Sequence, residues 1–138
     1  MRAVPLKLAP GSDLRESLQD LARQHQSAGF VLGVVGNLSR AAFQCPGQPQ
    51  PTVMEGDLEI ITLNGTVSPE SVHLHLSLSD GACQVWGGHL EPGTLVLKGA
   101  DLLLGVVENS RDALSPVGPT SRATPRVEIA TVQNCPWS

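Results

Sequence analysis

One alternating stretch near the middle of the chain constrains the fold more than any other. It runs from Val72 to Leu90 and reads VHLHLSLSDGACQVWGGHL. Apolar and polar residues alternate strictly from Val72 to Ser79. This predicts a β-strand with His73 and His75 on one face, because strand side chains repeat every two residues. Asp80-Gly81 then predicts a tight turn, since glycine accepts the positive φ that such turns need. The stretch is therefore expected to form a β-hairpin.

The register of this hairpin decides whether a third histidine joins the first two. The return strand is expected over Ala82–Leu90 and ends in Gly87-Gly88-His89. A two-residue loop would place His89 on the opposite face, whereas a three-residue loop, or one bulge, would place it opposite His73. Gly87-Gly88 is the site where a bulge or a close backbone approach costs least. We therefore expect one irregularity in the hairpin, with His73, His75 and His89 on a common face.

Three imidazoles on one hairpin face form a candidate metal site. Neutral imidazole nitrogens suit zinc or another borderline divalent ion, and a fourth position would stay open to water. The spacing alone also fits a second interpretation, in which the histidines are half-buried polar residues that hydrogen-bond to backbone carbonyls. Both interpretations stay open at the level of spacing.

Composition limits the class of protein. The chain has 138 residues, one domain by length, with 41% hydrophobic residues but only 3% aromatic ones. No apolar run approaches the roughly 20 residues of a membrane span, and the N-terminus lacks a signal-peptide pattern, so no membrane partner is expected. Cys45, Cys83 and Cys135 contain no C-x-x-C pair, which disfavours a disulfide framework and a thiolate zinc site. A reducing, cytoplasmic location is therefore predicted.

The distribution of charge is uneven along the chain. The net charge is −4, and no Lys or Arg occurs between Ala41 and Leu97. Six acidic residues fall in that segment: Glu55, Asp57, Glu59, Glu70, Asp80 and Glu91. The segment that holds the histidines is thus acidic, which favours a bound cation and disfavours contact with a phosphate backbone.

The first half of the chain predicts one helix between strands. Ala3–Leu8 is typical of a strand, and Asp13 and Glu16 have capping-box spacing at the start of a helix that we expect to stop at Gly29. A buried strand is expected next over residues 29–36, and residues 37–43 either continue it in extended conformation or form a second strand. A Pro/Gln loop is expected over residues 44–52. The apolar face of the helix comprises Leu14, Leu18, Leu21 and Ala22.

The second half predicts further strands and a divided C-terminal region. A strand over residues 56–63 should end in an Asn64-Gly65 turn, and Glu59 within it would either contact the metal site or point outward. Strands are also expected over residues 95–97 and 100–107. The domain core is assigned to residues 1–108, a Ser/Pro/Gly link to 109–125, and a terminal strand and tail to 126–138. The alternating segment Arg126–Val132 would add to this sheet or to that of a neighbour.

A series of motifs in this order resembles the PPC (plants and prokaryotes conserved) domain family. The motifs are Pro10-Gly11-x-Asp13-Leu14, Gly36-Asn37-Leu38-Ser39, GDLEIITLNGT over residues 56–66, HLHLSLSD over 73–80, GGHL over 87–90, and Ala100-Asp101-Leu102. The resemblance covers roughly residues 6–107. It implies an α/β (α+β) fold, with a mostly antiparallel twisted sheet flanked by one main helix, assembled as a homotrimer. It also implies a metal site, most plausibly zinc, at the histidines matching His73, His75 and His89.

The resemblance is to the stand-alone prokaryotic type rather than to the plant proteins. Plant members carry AT-hook segments and bind AT-rich DNA, but no Arg-Gly-Arg-Pro core occurs here. The basic Gly-Arg-Phe-Glu of the plant domain is Gly56-Asp57-Leu58-Glu59 in this chain, and Asp101 stands where many relatives carry Glu. The sequence thus predicts a metal-binding protein with a regulatory or small-molecule-binding role. The alternatives are a hydrolase-like metalloenzyme with Glu59 as candidate general base, and a DNA-associated regulator.

Overall fold

Two long strands organise the part of the chain that the structure describes. A computed structural model of the protein describes residues 1–107. The elements in chain order are β1 (Arg2–Leu8), α1 (Leu14–His25), β2 (Ala28–Gln44), β3 (Thr52–Val67), β4 (Val72–Ser79), β5 (Val85–Leu90) and β6 (Leu95–Val107). Strand β2 has 17 residues and β3 has 16. Strand β2 pairs with β3, β5 and β6, and β3 pairs with β2 and β4.

The six strands form one antiparallel sheet that partly closes on itself. The strand order is β1-β6-β2-β3-β4-β5. The end of β2 also pairs with β5, through Phe43 opposite Leu90 and Gln44 opposite His89. Strands β2 to β5 therefore close into a small barrel, while β1 is the edge strand among residues 1–107. The predicted fold class, an antiparallel sheet with one helix, is confirmed.

The hydrophobic core between the strands and α1 consists mainly of aliphatic side chains, since the chain has few aromatic residues. Strand β4 shows the alternation most clearly: Val72, Leu74, Leu76 and Leu78 are buried, while His73 and His75 point outward and are exposed. Phe43 is the largest fully buried side chain. The face of β4 that carries the histidines is therefore the outer face of the barrel.

Helix α1 begins as predicted and ends earlier than predicted. The Asp13 Oδ1 atom accepts a hydrogen bond from the Glu16 amide at 3.0 Å, and Oδ2 accepts one from the Gly93 amide at 2.7 Å. The cap thus also ties the helix to the turn before β6. The helix ends at His25 because Gln26 adopts the left-handed conformation, with φ 47°. The predicted stop at Gly29 is wrong: this residue lies inside β2, where a Cβ atom would collide with the backbone of Gly105.

Two predicted strand boundaries are corrected by the structure. Residues 95–97 and 100–107 form one strand, whereas residues 37–43 continue the strand of 29–36, which is one of the two predicted possibilities. The Asn64-Gly65 pair makes no turn, because β3 continues through it to Val67. Gly65 is required there for a different reason: its φ is 140°, and a Cβ atom would collide with the carbonyl oxygen of His73.

The predictions for the C-terminal region fall beyond what the structure describes. The link over residues 109–125 and the terminal strand within 126–138 lie outside residues 1–107. Within residues 1–107, no helix has both the length and the apolar character needed to cross a membrane.

Candidate metal centre

The β4–β5 hairpin places all three histidines on the same face, in a register that differs from the predicted one. His75 lies opposite His89, and Ser79 lies opposite Val85. The prediction that His89 would lie opposite His73 is therefore wrong, although the prediction of a common face agrees with the structure. Strand β5 begins at Val85 rather than at Ala82. The shift amounts to two residues, which preserves the face because strand side chains repeat every two residues.

The turn of the hairpin explains this register. The Asp80 amide donates to the Gln84 carbonyl at 3.0 Å, which leaves a three-residue loop over residues 81–83. Cys83 closes the loop in the left-handed conformation, with φ 58°. The Asp80 carboxylate accepts from the amides of Ala82 at 2.9 Å and Gln84 at 3.0 Å. These contacts hold the turn one residue further along the chain than the sequence indicated.

The three imidazole rings lie close together on this outer face. The ring centroids of His73 and His75 are 5.1 Å apart, those of His73 and His89 are 5.1 Å apart, and those of His75 and His89 are 6.0 Å apart. His73 and His75 are exposed, whereas His89 is half-buried. The structure therefore gathers the three predicted ligand residues into one solvent-accessible cluster, which we call the histidine cluster.

Glycines beside the cluster let the strands approach closely. Gly87 lies opposite Ser77 and Gly88 opposite Leu76, with no break in the β4–β5 ladder. A Cβ atom on Gly87 would collide with the Leu76 carbonyl oxygen, and one on Gly88 would lie 2.6 Å from the Gln44 carbonyl oxygen. Gly87 and Gly88 thus allow β4 and β2 to approach β5 closely, and they form no bulge.

Glu91 is a member of the site that the sequence analysis did not single out. Its Oε1 atom lies 3.0 Å from Nδ1 of His89. The backbone of Glu91 is held in turn, because its amide donates to the Ala42 carbonyl at 3.0 Å and its carbonyl accepts from the Thr94 hydroxyl at 3.1 Å. The available signal was spacing: Glu91 follows His89 by two residues, which favours the same face.

This contact has a consequence for the chemistry of His89. A carboxylate accepts hydrogen bonds, so Nδ1 carries a proton, and in the neutral imidazole Nε2 keeps its lone pair. Carboxylates commonly hold metal-binding histidines in this way, by fixing the tautomer and the orientation of the ring. Nε2 of neutral His89 is therefore the ring nitrogen that remains available to a ligand.

The spacing of the rings can be compared with that of a tetrahedral zinc site. Zinc–nitrogen bonds of about 2.0–2.1 Å place each ring centroid about 3.2 Å from the metal and neighbouring centroids about 5.2 Å apart. Two of the three observed separations match this distance, and the third, at 6.0 Å, is wider. As the side chains stand, no group of three or more His, Cys, Asp or Glu residues within 1–107 is arranged to hold a metal ion. Two of the three ring separations thus fit a zinc site, whereas the third separation and the placement of the side chains do not.

Glu59 lies apart from the histidine cluster. It is exposed on β3 and pairs with Ser79, which is four residues along β4 from His75. At about 3.3 Å per residue this separation is about 13 Å. The structure therefore does not bring the predicted general-base candidate to the histidines, and the carboxylate that accompanies them is Glu91.

Two open depressions flank the histidine cluster. A cleft of about 730 Å³ lies between the loop that follows β2 and the end of β5, and a shallower one of about 190 Å³ lies on the β3 side. The larger cleft is lined by residues that include Gln44, His75, His89 and Glu91. Among the described residues, no Lys or Arg lines either depression. A ligand of small-molecule size could thus reach the cluster from solvent.

Comparison with known proteins identifies similar chains. The sequence model of the Plants and Prokaryotes Conserved (PCC) domain matches residues 1–108. A bifunctional protein GlmU of Synechococcus sp. (strain JA-3-3Ab) is 43% identical over 105 residues, which are 75% of this chain and 17% of that protein. The chain thus spans about one sixth of the length of this relative, which carries the matching region within a much longer polypeptide.

Solved structures share the fold. A hypothetical protein from Salmonella cholerae-suis (Salmonella enterica) is 35% identical, with a TM-score of 0.72 over 75% of each chain. A candidate DNA-binding protein from Ralstonia eutropha JMP134 is 27% identical, with a TM-score of 0.64 over 77% of this chain and 78% of that one.

Proposed function

Since the chain belongs to the Plants and Prokaryotes Conserved domain family, we propose that it binds one divalent metal ion, zinc, through His73, His75 and His89. The observation that carries this proposal is the gathering of three imidazole rings on one accessible face, with centroids 5.1–6.0 Å apart. The hydrogen bond between Glu91 and His89 supports it, because it leaves Nε2 of that ring free to bind. The lack of Lys and Arg between residues 41 and 97 also favours a cation.

The proposed role is regulatory or ligand-binding rather than catalytic. A metal held by three imidazoles keeps one position for water or for a donor atom of a ligand. The cleft of about 730 Å³ beside His75 and His89 has room for such a ligand. A metal-dependent enzyme is the alternative function, since a bound metal ion lowers the pKa of its water and so generates a nucleophile. It has less support, because Glu59 lies about 13 Å away by strand spacing and Glu91 is engaged by His89.

Association with DNA is a second alternative, favoured by the description of the Ralstonia eutropha protein. The acidic segment between residues 41 and 97 opposes direct contact with phosphates, so a DNA contact would be supplied by a partner. A mobility-shift assay on AT-rich duplex distinguishes direct DNA binding from binding through a partner. The isolated protein should give no shift, and a shift that weakens with added salt would show direct binding.

We also propose that the protein assembles as a homotrimer. Apolar side chains on neighbouring strands β2 and β6 support an interface between copies: Phe30, Leu32, Val35 and Leu103 are all exposed. Exposed apolar side chains grouped on neighbouring strands are typical of a protein contact.

Metal content tests the proposed metal site. Protein purified without a histidine tag should contain one zinc per chain by elemental analysis, and His73→Ala, His75→Ala and His89→Ala should each lose most of it. His25→Ala is the matched control, because His25 is exposed at the end of α1 and lies outside the cluster. Equal zinc content in all four variants would remove the proposal.

A further inference from the structure

A third, smaller cavity lies between the C-terminal end of α1 and the β1 edge of the sheet. Its volume is about 130 Å³, and none of the three clustered histidines lines it. The wall is mainly aliphatic, formed by Val4 and Leu6 of β1, Leu21 of α1, and Leu104 and Val106 of β6. This cavity is thus separate from the proposed metal site in both position and chemistry.

The size of the cavity restricts what it can hold. An engineered apolar cavity of about 150 Å³ stays dry and binds benzene. A cavity of about 130 Å³ therefore has room for an apolar body of about one six-membered ring. Aliphatic walls offer such a body dispersion contacts and offer water no hydrogen-bond partner.

The charged side chains that line the cavity indicate the charge of the ligand's head group. Arg2 and His25 are both exposed and both line the cavity, and no Asp or Glu within residues 1–107 does so. Within residues 1–107, Arg2 makes no ion pair, whereas Arg23 on the neighbouring helix surface pairs with Asp20. A guanidinium donates two parallel hydrogen bonds to a carboxylate. The charge complementarity thus favours an anionic head group next to an apolar body.

We propose that this cavity binds a small monocarboxylate whose apolar body is about the size of a phenyl ring. The ring lies among Val4, Leu21 and Val106, and the carboxylate accepts hydrogen bonds from Arg2 with the imidazole of His25 beside it. This site is independent of the metal. It would let the protein respond to a small organic acid at one end of the sheet while a metal is held elsewhere.

Benzoate and benzamide form a matched pair of probes, because they share the ring and differ in charge. Each is titrated into the full chain, stripped of metal and freed of chelator, while methyl and amide resonances are followed by NMR. Benzoate should bind at least about tenfold more tightly than benzamide, as one charge-assisted contact predicts. The methyl signals of Val4, Leu21 and Val106 should shift. Equal affinities, shifts confined to the β4–β5 hairpin, or no shifts at all would overturn the proposal.

Two variants test the residues named. Arg2→Gln should bring the affinity for benzoate to within about twofold of that for benzamide, while Arg23→Gln, the control, keeps the preference. Val106→Phe should fill the cavity and abolish binding of both probes, provided that its amide spectrum shows a folded chain. Because the Arg2 side chain is exposed, Arg2→Gln tests the carboxylate contact even where Val106→Phe does not fold. A preference for benzoate that survives Arg2→Gln would contradict that contact.

Discussion

At the scale of single residues, Glu91 determines which nitrogen of His89 is available. The 3.0 Å contact with Nδ1 places a proton there and leaves Nε2 as the donor for the proposed metal. The backbone of Glu91 is itself held by Ala42 and Thr94, which fixes the point from which its side chain reaches His89. The role proposed for Glu91 is therefore to orient a ligand residue, not to bind the metal.

Replacing Glu91 by Gln should weaken zinc binding without abolishing it. The amide keeps the shape of the side chain but loses the charge that strengthens the hydrogen bond, and loss of such partners costs about 10–100-fold in metal affinity. A competitive titration with a chromogenic chelator measures the change. Glu59→Gln is the control, since Glu59 is exposed and lies opposite Ser79. Equal losses in both variants would mean that general charge, and not the contact with His89, sets the affinity.

Asp80 gives a pH-dependent signal at the tip of the hairpin. The Trp86 indole N–H donates to its carboxylate at 2.9 Å and, together with the amides of Gln84 and Ala82, lowers the pKa of Asp80 below its ordinary value of 3.8. A lowered pKa means that the ionised form is favoured by folding. The stabilisation is therefore present above the ordinary pKa and is lost as the pH falls through the lowered one.

The Trp86 indole resonance should report this titration. Its proton shift should stay constant from about pH 7 to about pH 5 and move only below about pH 4. In Asp80→Asn the same resonance should be flat over the whole range, because no carboxylate titrates. A shift that moves with a midpoint above the ordinary value of 3.8 in the native chain would contradict the lowered pKa.

At the scale of elements, the sequence predicted which strands exist better than how they are paired. The alternation in β4 and the cap of α1 are local signals, and the structure contains both. The Asn64-Gly65 pair has the local signature of a turn, but β3 continues through it because its partner β4 approaches there. The position of the hairpin turn was misjudged by one residue, since it depends on hydrogen bonds to the Asp80 side chain.

Gly88 offers a test of the close packing beside the histidine cluster. A Cβ atom there would lie 2.6 Å from the Gln44 carbonyl oxygen, so Gly88→Ala must push β5 away from β2. Overpacking of this kind costs about 1–3 kcal/mol, and the free energy of unfolding should fall by that amount in urea titrations. Zinc affinity should fall too, because His89 is the next residue.

Gly81→Ala is the matched control for this change. Gly81 lies in the same hairpin, and a Cβ atom there would meet nothing within 4 Å. Its free energy of unfolding should change by less than about 1 kcal/mol. The packing account would fail if the two substitutions had the same effect.

At the scale of the whole molecule, the ordered motifs predicted the family and the fold class, and both are confirmed. The closure of the barrel by Gln44 and His89 was not predicted, because it joins residues 45 positions apart and leaves no local pattern. The same closure explains why Gln44 lines the cleft beside the histidines. Non-local pairing, rather than any motif, thus shapes the surroundings of the site.

The assembly state can be tested on the exposed apolar surface of β2. Val35 is 67% exposed, and a charge there should break the contact between copies, so Val35→Glu should lower the mass measured by light scattering from that of a trimer to that of a monomer. Val85→Glu is the control, because Val85 is 64% exposed but lies at the far end of the hairpin. A native chain that is already monomeric, or a trimer that tolerates Val35→Glu, would refute this interface.

The central claim is that side chains at positions 73, 75 and 89 meet around one cation. Anomalous diffraction at the zinc absorption edge, on crystals of untagged protein, tests this most directly. We predict a single peak on the outer face of the hairpin, about 2.0–2.1 Å from one nitrogen of each imidazole, with Nε2 as the donor of His89. A map with no peak there, or with the three rings bonded to backbone carbonyls instead, would contradict the claim.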